Sequence, residues 1–279
     1  MKNIDKKVVD DFGEEWNQYS QNTSSKTISD IDLESAWNQY FNIFPFDDLK
    51  EDAQGFDMGC GSGRWAQFVA DKVHKLNCID PSEKALNVAK KNLSKFTNIS
   101  FYNASVNDEV LERNSQDFGY CLGVLHHIPN TLDGIKACSD LLKKDAPFLM
   151  YLYYNFENRS LLFKLLWRVS DLFRKFLSSL PSSIKRLITP LIAHLIYFPL
   201  ARFALLCHKL GFNVENFPLT DYKDKPFYFM KTDALDRFGT RLEKRFSRKE
   251  IIEMLTESGF KDINFSDGNP CWVCISRKA

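Results

Sequence analysis

Gly55-Phe56-Asp57-Met58-Gly59-Cys60-Gly61-Ser62-Gly63-Arg64-Trp65-Ala66 decides how the rest of this 279-residue chain is read. An apolar strand-like run, three glycines in five residues and the opening of a helix follow one another. Glycine accepts positive φ and carries no Cβ, so the backbone amides of such a turn can approach a ligand closely. The helix start adds unsatisfied N–H groups and a partial positive charge. A turn built this way suits a nucleotide-like ligand with an anionic end. The competing reading is a glycine turn that serves the fold alone.

Spacing narrows the ligand. A dinucleotide fingerprint is G-x-G-x-x-G, its third glycine lying where helix packs on strand. Here the pattern is G-x-G-x-G, and Arg64 takes the place of that third glycine. Downstream, the run Leu76-Asn77-Cys78-Ile79 ends in Asp80, a carboxylate placed to accept both hydroxyls of a ribose. NAD proteins also carry an acid at about 20 residues' distance, so the glycines do the discriminating. Together the two segments resemble motifs I and II of class I S-adenosylmethionine (SAM)-dependent methyltransferases.

Bulk composition fits one large domain, or a domain with an elaborate insertion. The chain is 44% hydrophobic and holds 24 phenylalanines, enough for a sizeable aromatic core. A net charge of +1 argues against a generic nucleic-acid binder. Seven cysteines without framework spacing, and no recognisable signal peptide, point to a reducing, cytoplasmic setting. Cys271-Trp-Val-Cys274 is the single C-x-x-C. It lies in an expected strand, where residues three apart face opposite sides, so it reads as structural and no metal is expected.

Two aromatic stripes at helical spacing precede the glycine turn: Phe12, Trp16, Tyr19 and Trp37, Phe41, Phe44, with a polar loop expected from Ser20 to Asp32. The second stripe reads as packing on the sheet. The first either packs likewise or folds over a ligand, which makes Trp16 a candidate contact. From Gly55 the chain alternates strands and helices, as a doubly wound parallel sheet requires. Strands are expected at 76–80, 99–105, 118–125 and 147–154. The pattern resumes at Ser247-Arg-Lys-Glu250, a capping box, with a helix to Gly259 and strands at 262–266 and 271–276.

The stretch 156–246 reads as a mainly helical insertion. Leu162, Leu165, Val169, Phe173, Phe176 and Leu180 share one helix face. The run Leu187 to Cys207 is interrupted by Pro190 and Pro199. It falls short of about 20 uninterrupted apolar residues, which argues against a transmembrane segment. Residues 157–210 hold nine Lys/Arg and two Asp/Glu, a balance of +7 on a body of −6. Three readings stay open: a lid over the sheet domain or a substrate, a homodimer interface, or an element lying on an anionic membrane surface. The more polar connection Asp221 to Arg241 carries Tyr222, Tyr228 and Arg241. It reads either as acceptor recognition or as a solvated loop held by its own ion pairs.

The candidate bases are His126 and His127, just past the fourth strand, at the end of the sheet where ligands of open α/β folds bind. One of the pair should face the cleft, His126 being the favoured member. Tyr153, Tyr154 and Asn155 end the fifth strand at the same rim and Arg159 opens the insertion. All four are candidate acceptor contacts. Leu122-Gly-Val-Leu-His-His-Ile-Pro129 resembles the post-strand motif of the UbiE-like, type 11 methyltransferases, a group that includes quinone-biosynthesis enzymes. That resemblance implies a Rossmann-like seven-stranded sheet with its last strand antiparallel. It implies SAM as cofactor and a SAM-binding core of 55–155 and 247–279, which the two aromatic stripes precede as an N-terminal helical cap of 1–54. By position, Gly59, Gly61 and Gly63 would hold the methionine part, Asp57 would orient the turn, and Asp80 would take the ribose. Pro81 and Ser82 would lie beside the adenine. Ser105, with Val106, stands where many relatives carry an acid for the adenine amino group, and Leu122 would complete the pocket. The expected function is methyl transfer to a small-molecule acceptor, one bearing a carboxylate or phosphate if the basic residues read it. The alternatives are a peripheral membrane enzyme acting on a lipid or prenylated acceptor, and a non-catalytic SAM-binding partner subunit.

Overall fold

A computed structural model describes residues 3–18, 30–157, 159–215, 217–268 and 272–279. Tyr19, most of the expected loop after it, and Cys271 of the C-x-x-C lie outside the described residues. The chain separates into two compact units: residues 1–22, 33–155 and 242–279 form the first, and residues 23–32 and 156–241 the second.

The first unit is built on seven strands: β1 (Gln54–Met58), β2 (Lys75–Asp80), β3 (Ile99–Asn103), β4 (Phe118–Leu122), β5 (Pro147–Tyr151), β6 (Phe260–Phe265) and β7 (Val273–Lys278). Their order is β3-β2-β1-β4-β5-β7-β6, with β7 antiparallel to both neighbours. Central strands read as continuous apolar runs because both faces are covered. Phe56, Phe118, Tyr120, Phe148 and Leu149 are fully buried. On one face, Phe41 of α2 (Asp30–Phe41) meets Tyr120 at 5.3 Å between ring centroids, and Phe44 meets Phe118 at 6.0 Å. The second aromatic stripe therefore packs on the sheet. Helix α2 begins at Asp30, inside the stretch expected to be loop.

Two strands end earlier than expected. Past Leu122, Gly123 takes a φ of 78° and Leu125–His127 form a 3-10 turn. Past Tyr151 the pairing with β4 stops, and Tyr154 makes only an isolated bridge to Phe246. Residues 242–246 belong to the first unit for the same reason: Lys244 N–H donates to His126 O and Phe246 N–H to Tyr153 O. The Ser247–Glu250 capping box forms and opens α10 (Arg248–Glu257), with Gly259 just beyond its end at φ 79°.

The second unit holds α6 (Leu161–Ser178), α7 (Ser182–Ile192), α8 (Phe198–Lys209) and α9 (Phe227–Gly239). Two expectations are corrected here. The stretch 221–241, read as a connection, contains α9, whose Met230, Ala234 and Phe238 are buried in this unit's core. The run judged broken by Pro190 and Pro199 is one unbroken helix over Ser182–Lys209, long and apolar enough to cross a membrane by length and composition. A π turn, Ala193–Tyr197, joins α7 to α8. There Phe198 N–H reaches back five residues to Ala193 O, re-registering the ladder just before Pro199, which has no N–H to give.

Candidate active site

Register brings the site together. β1 pairs with β2 so that Met58 stands beside Ile79, and both strands deliver their carboxyl ends to one edge. The glycine turn begins there. Gly59 N–H and Cys60 N–H both donate to Ile79 O, at 2.7 and 3.1 Å, and Gly61 N–H donates to Asp80 Oδ2 at 2.9 Å. These amides, expected to face a ligand, are spent on β2 and its terminal carboxylate. The helix that follows, α3 (Ala66–Val69), has four residues, too few for a strong dipole. The glycines act through shape instead. Gly59 sits at φ 79°, and a Cβ there would lie 2.4 Å from Val124 Cγ2. At Gly61, φ 54°, a Cβ would lie 3.0 Å from Trp16 Nε1.

Asp80 is buried, and Ser82 N–H donates to its Oδ1 at 2.8 Å. Two amides thus fix the carboxylate, and each oxygen keeps a lone pair for a further donor. Burial pushes its pKa up to about 6, against the pull of the Ser82 and Gly61 amides. Asp57 lies deeper. Its Oδ2 has no hydrogen-bond partner among the described residues, and burial pushes its pKa up to about 8. The nearby Tyr120 hydroxyl draws it down and the Asp80 charge adds to the rise.

Above this edge opens a cleft of about 830 Å³, the open solvent at its mouth included. Trp16, Gly59, Asp80, Pro81, Ser82, Ser105, Val106 and Leu122 line it, as does His127. Asp57, Gly61 and Gly63 stand beneath as supports. Gly63 N–H donates to Cys60 O, and a Cβ on Gly63 would meet Leu93 Cδ1 at 2.6 Å. Ser105 is less available than its position suggests. Its N–H and hydroxyl both donate to Asp108 Oδ2, at 2.8 and 3.0 Å.

Sequence reasoning missed the extent of the N-terminal wall. Asn3, Ile4, Asp5, Val8, Val9 and Phe12 also line the cleft, carried by α1 (Lys6–Gln18) and the residues before it. Asn3 straps this segment down: its Nδ2 donates to Asn107 Oδ1 and Asn130 O, and its Oδ1 accepts from Asn130 N–H. Gly13 permits the close approach of α1, since a Cβ there would fall 2.3 Å from Ser82 Oγ. The Phe12–Trp16 spacing was the available signal; nothing in the sequence marked Asn3.

The histidines reverse the expected preference. His126 is fully buried, stacked on Tyr153 at 3.9 Å, and does not line the cleft. Desolvation first, then the charges of His127 and Arg245, hold its pKa well below the usual imidazole range, so it is neutral. His127 faces the cleft beside Phe12, with ring centroids 5.0 Å apart. Its Nδ1 lies 2.7 Å from Leu242 O. A carbonyl only accepts, so Nδ1 carries the proton and Nε2 of the neutral ring is the basic nitrogen.

The remaining nominees have other partners. Tyr153 lies between His126 and the Arg245 guanidinium, 4.9 Å from its ring. Tyr154 packs edge-on to Trp272, and Asn155 N–H donates to Phe246 O. Within the second unit, Arg159 donates to Glu215 O, the Tyr222 hydroxyl donates to Asp233 Oδ2 at 2.8 Å, Tyr228 is buried, and Arg241 is exposed.

The residues present fit a sulfonium nucleoside: a carboxylate for ribose hydroxyls, an apolar slot, and a glycine turn against which Trp16 and Val124 of the cleft wall can close. Comparison with known proteins agrees. Residues 56–145 match the family model described as methyltransferase domain. The ubiquinone biosynthesis O-methyltransferase of Dechloromonas aromatica is 31% identical over 150 residues, covering 51% of this chain and 61% of that protein. The enzyme of the same name from Nitrosospira multiformis is 32% identical over 89 residues, 31% of this chain and 37% of that one. The chain thus matches less than two thirds of these relatives' length. Among solved structures, a Thermotoga maritima SAM-dependent methyltransferase, described as a possible histamine N-methyltransferase, superposes with a TM-score of 0.53 at 13% identity, covering 97% of this chain and 99% of that one. A chain from the Haloferax volcanii complex of the Trm112 activator with a putative methyltransferase gives 0.53 at 12% identity, covering 94% and 96%. At such identities these two establish the fold alone.

Proposed function

We propose that this chain, which carries a class I SAM-dependent methyltransferase domain of the UbiE-like pattern, methylates a hydroxyl on a small-molecule acceptor. The observation that carries this reading is the placement of Asp80 and His127 on one cleft, each oriented by backbone. SAM, when bound, supplies an already activated sulfonium methyl. The chain's task is then to hold the acceptor in line with it, which can supply roughly 7–11 kcal/mol. A hydroxyl arrives protonated, and a base adds about 10² to 10⁴ in rate. His127 Nε2 would fill that role, taking the acceptor proton as the acceptor oxygen gains the methyl and the S–CH3 bond breaks to leave the neutral thioether, while the Leu242 carbonyl would hold Nδ1–H and steady the imidazolium. Asp80 receives the ribose hydroxyls, and Trp16 and Phe12 exclude water from the apolar wall. The name shared by the two curated relatives agrees with an oxygen acceptor.

The test is His127→Gln. The variant keeps a hydrogen-bonding side chain but offers no basic nitrogen near neutrality. Its kcat should fall by about 10² or more with S-adenosylhomocysteine affinity unchanged. Full activity in this variant would remove the base. A second reading, a lipid or prenylated acceptor taken from a membrane surface, is favoured by the outward apolar faces of the second unit.

A further inference from the structure

In the second unit, two helices face the wrong way for water. On α6 the buried side chains include Asp171, Arg174 and Ser178, whereas Leu162, Leu165, Val169, Leu172 and Phe176 are all more than half exposed. Arg174 Nε donates to Asp171 Oδ1 at 2.6 Å and Arg174 Nη1 to Thr240 O at 3.1 Å, so polar groups are satisfied inward while leucines point outward. The pattern repeats along the 182–209 helix. Lys185 and Thr189 are buried, Lys185 Nζ donating to Gly239 O, and Leu187, Leu191 and Leu195 are 70, 53 and 70% exposed. Amphipathic helices of water-soluble units bury the apolar stripe. Exposed apolar area on this scale marks a surface that something covers.

We propose that these outward faces of α6 and the 182–209 helix lie in the interfacial layer of an anionic membrane. Charge selects this occupant over a second copy. Residues 157–210 carry +7, which repels itself across an isologous contact but attracts acidic headgroups. Arg168, Lys175, Arg186 and Lys209 are exposed on the helices that bear the leucines. The unit's own core selects lying over spanning. Ile192, Ala193, Tyr197 and Ala201 are buried with Met230, Ala234 and Phe238, and Arg202 donates to Lys223 O. A span would strip that side of the helix from its partners and put Lys185 and Arg202 into hydrocarbon.

The inference concerns attachment and is read without any turnover, so it stands or falls apart from the proposed methyl transfer. The experiment is flotation of the full chain with vesicles of phosphatidylcholine alone or with one quarter phosphatidylglycerol, at 50 and 500 mM salt. Binding to the anionic vesicles should be strong at low salt and at least ten-fold weaker on neutral ones. The combined variant Leu165→Gln, Leu172→Gln, Leu187→Gln, Leu191→Gln should lose binding at least ten-fold while keeping its circular dichroism, because every altered side chain is exposed. Three results overturn the proposal. One is no binding to anionic vesicles. Another is a soluble dimer that this variant converts to monomer. The third is a wild-type chain that resists alkaline carbonate extraction from membranes, as a spanning protein does.

Discussion

Asp57 and Asp80 are two carboxylates with different work, separated by depth. Both are raised by burial, Asp57 to about 8 and Asp80 to about 6, and only Asp80 has two amides holding it. Between pH 4 and 8 these two carboxyls therefore hold more protons in the folded chain than in the unfolded one, and their share of the stability falls as pH rises through that window, while the buried neutral His126 acts with the opposite sign below about pH 6.5. Asp57 alone should contribute a slope of roughly 1 kcal/mol per pH unit. Urea unfolding of Asp57→Asn at pH 5 and pH 8 should show a reduced pH dependence and a gain at pH 8. An unchanged slope would mean that Asp57 titrates normally. At this scale the sequence was informative where chemistry depends on residue type at a fixed spacing, as for the glycines, Asp80 and the histidine pair. Which histidine meets the cleft depends on a 3-10 turn and on Leu242, more than a hundred residues away. No local pattern records that contact.

The glycine turn and the second unit's helices show what element-level reading can and cannot reach. Gly59→Ala places a Cβ 2.4 Å from Val124 at a φ of 79°. Left-handed strain in a non-glycine residue costs about 1–3 kcal/mol, and the clash adds to it. Thermal unfolding should show a fall of several degrees, and Val124→Ala in the same chain should recover part of it. No recovery would place the cost in backbone strain alone. The alternation of strands and helices and the Ser247–Glu250 capping box followed from periodicity and cap chemistry. Periodicity finds an apolar stripe on α6 but says nothing of the direction it faces, and here it faces outward. Two prolines read as breaks because proline removes a donor, yet a π turn before Pro199 accommodates the loss.

For the molecule as a whole, a methyltransferase domain of about 90 residues, 56–145, accounts for the cofactor edge of the sheet. The N-terminal wall and the second unit lie outside the residues that match that domain. The fold class was legible because a parallel sheet with βα alternation leaves a regular trace in sequence. The acceptor was not, since its recognition depends on side chains brought together from distant segments. Everything functional rests on Asp80 and the glycine turn holding one nucleoside. Isothermal titration of the wild-type chain and Asp80→Ala with S-adenosylhomocysteine addresses that directly. Single-site binding weakened about 10- to 100-fold in the variant, the range for hydrogen bonds to a charged group, is the result this account predicts. Absence of binding to the wild-type chain, or equal affinity in the two proteins, would contradict it.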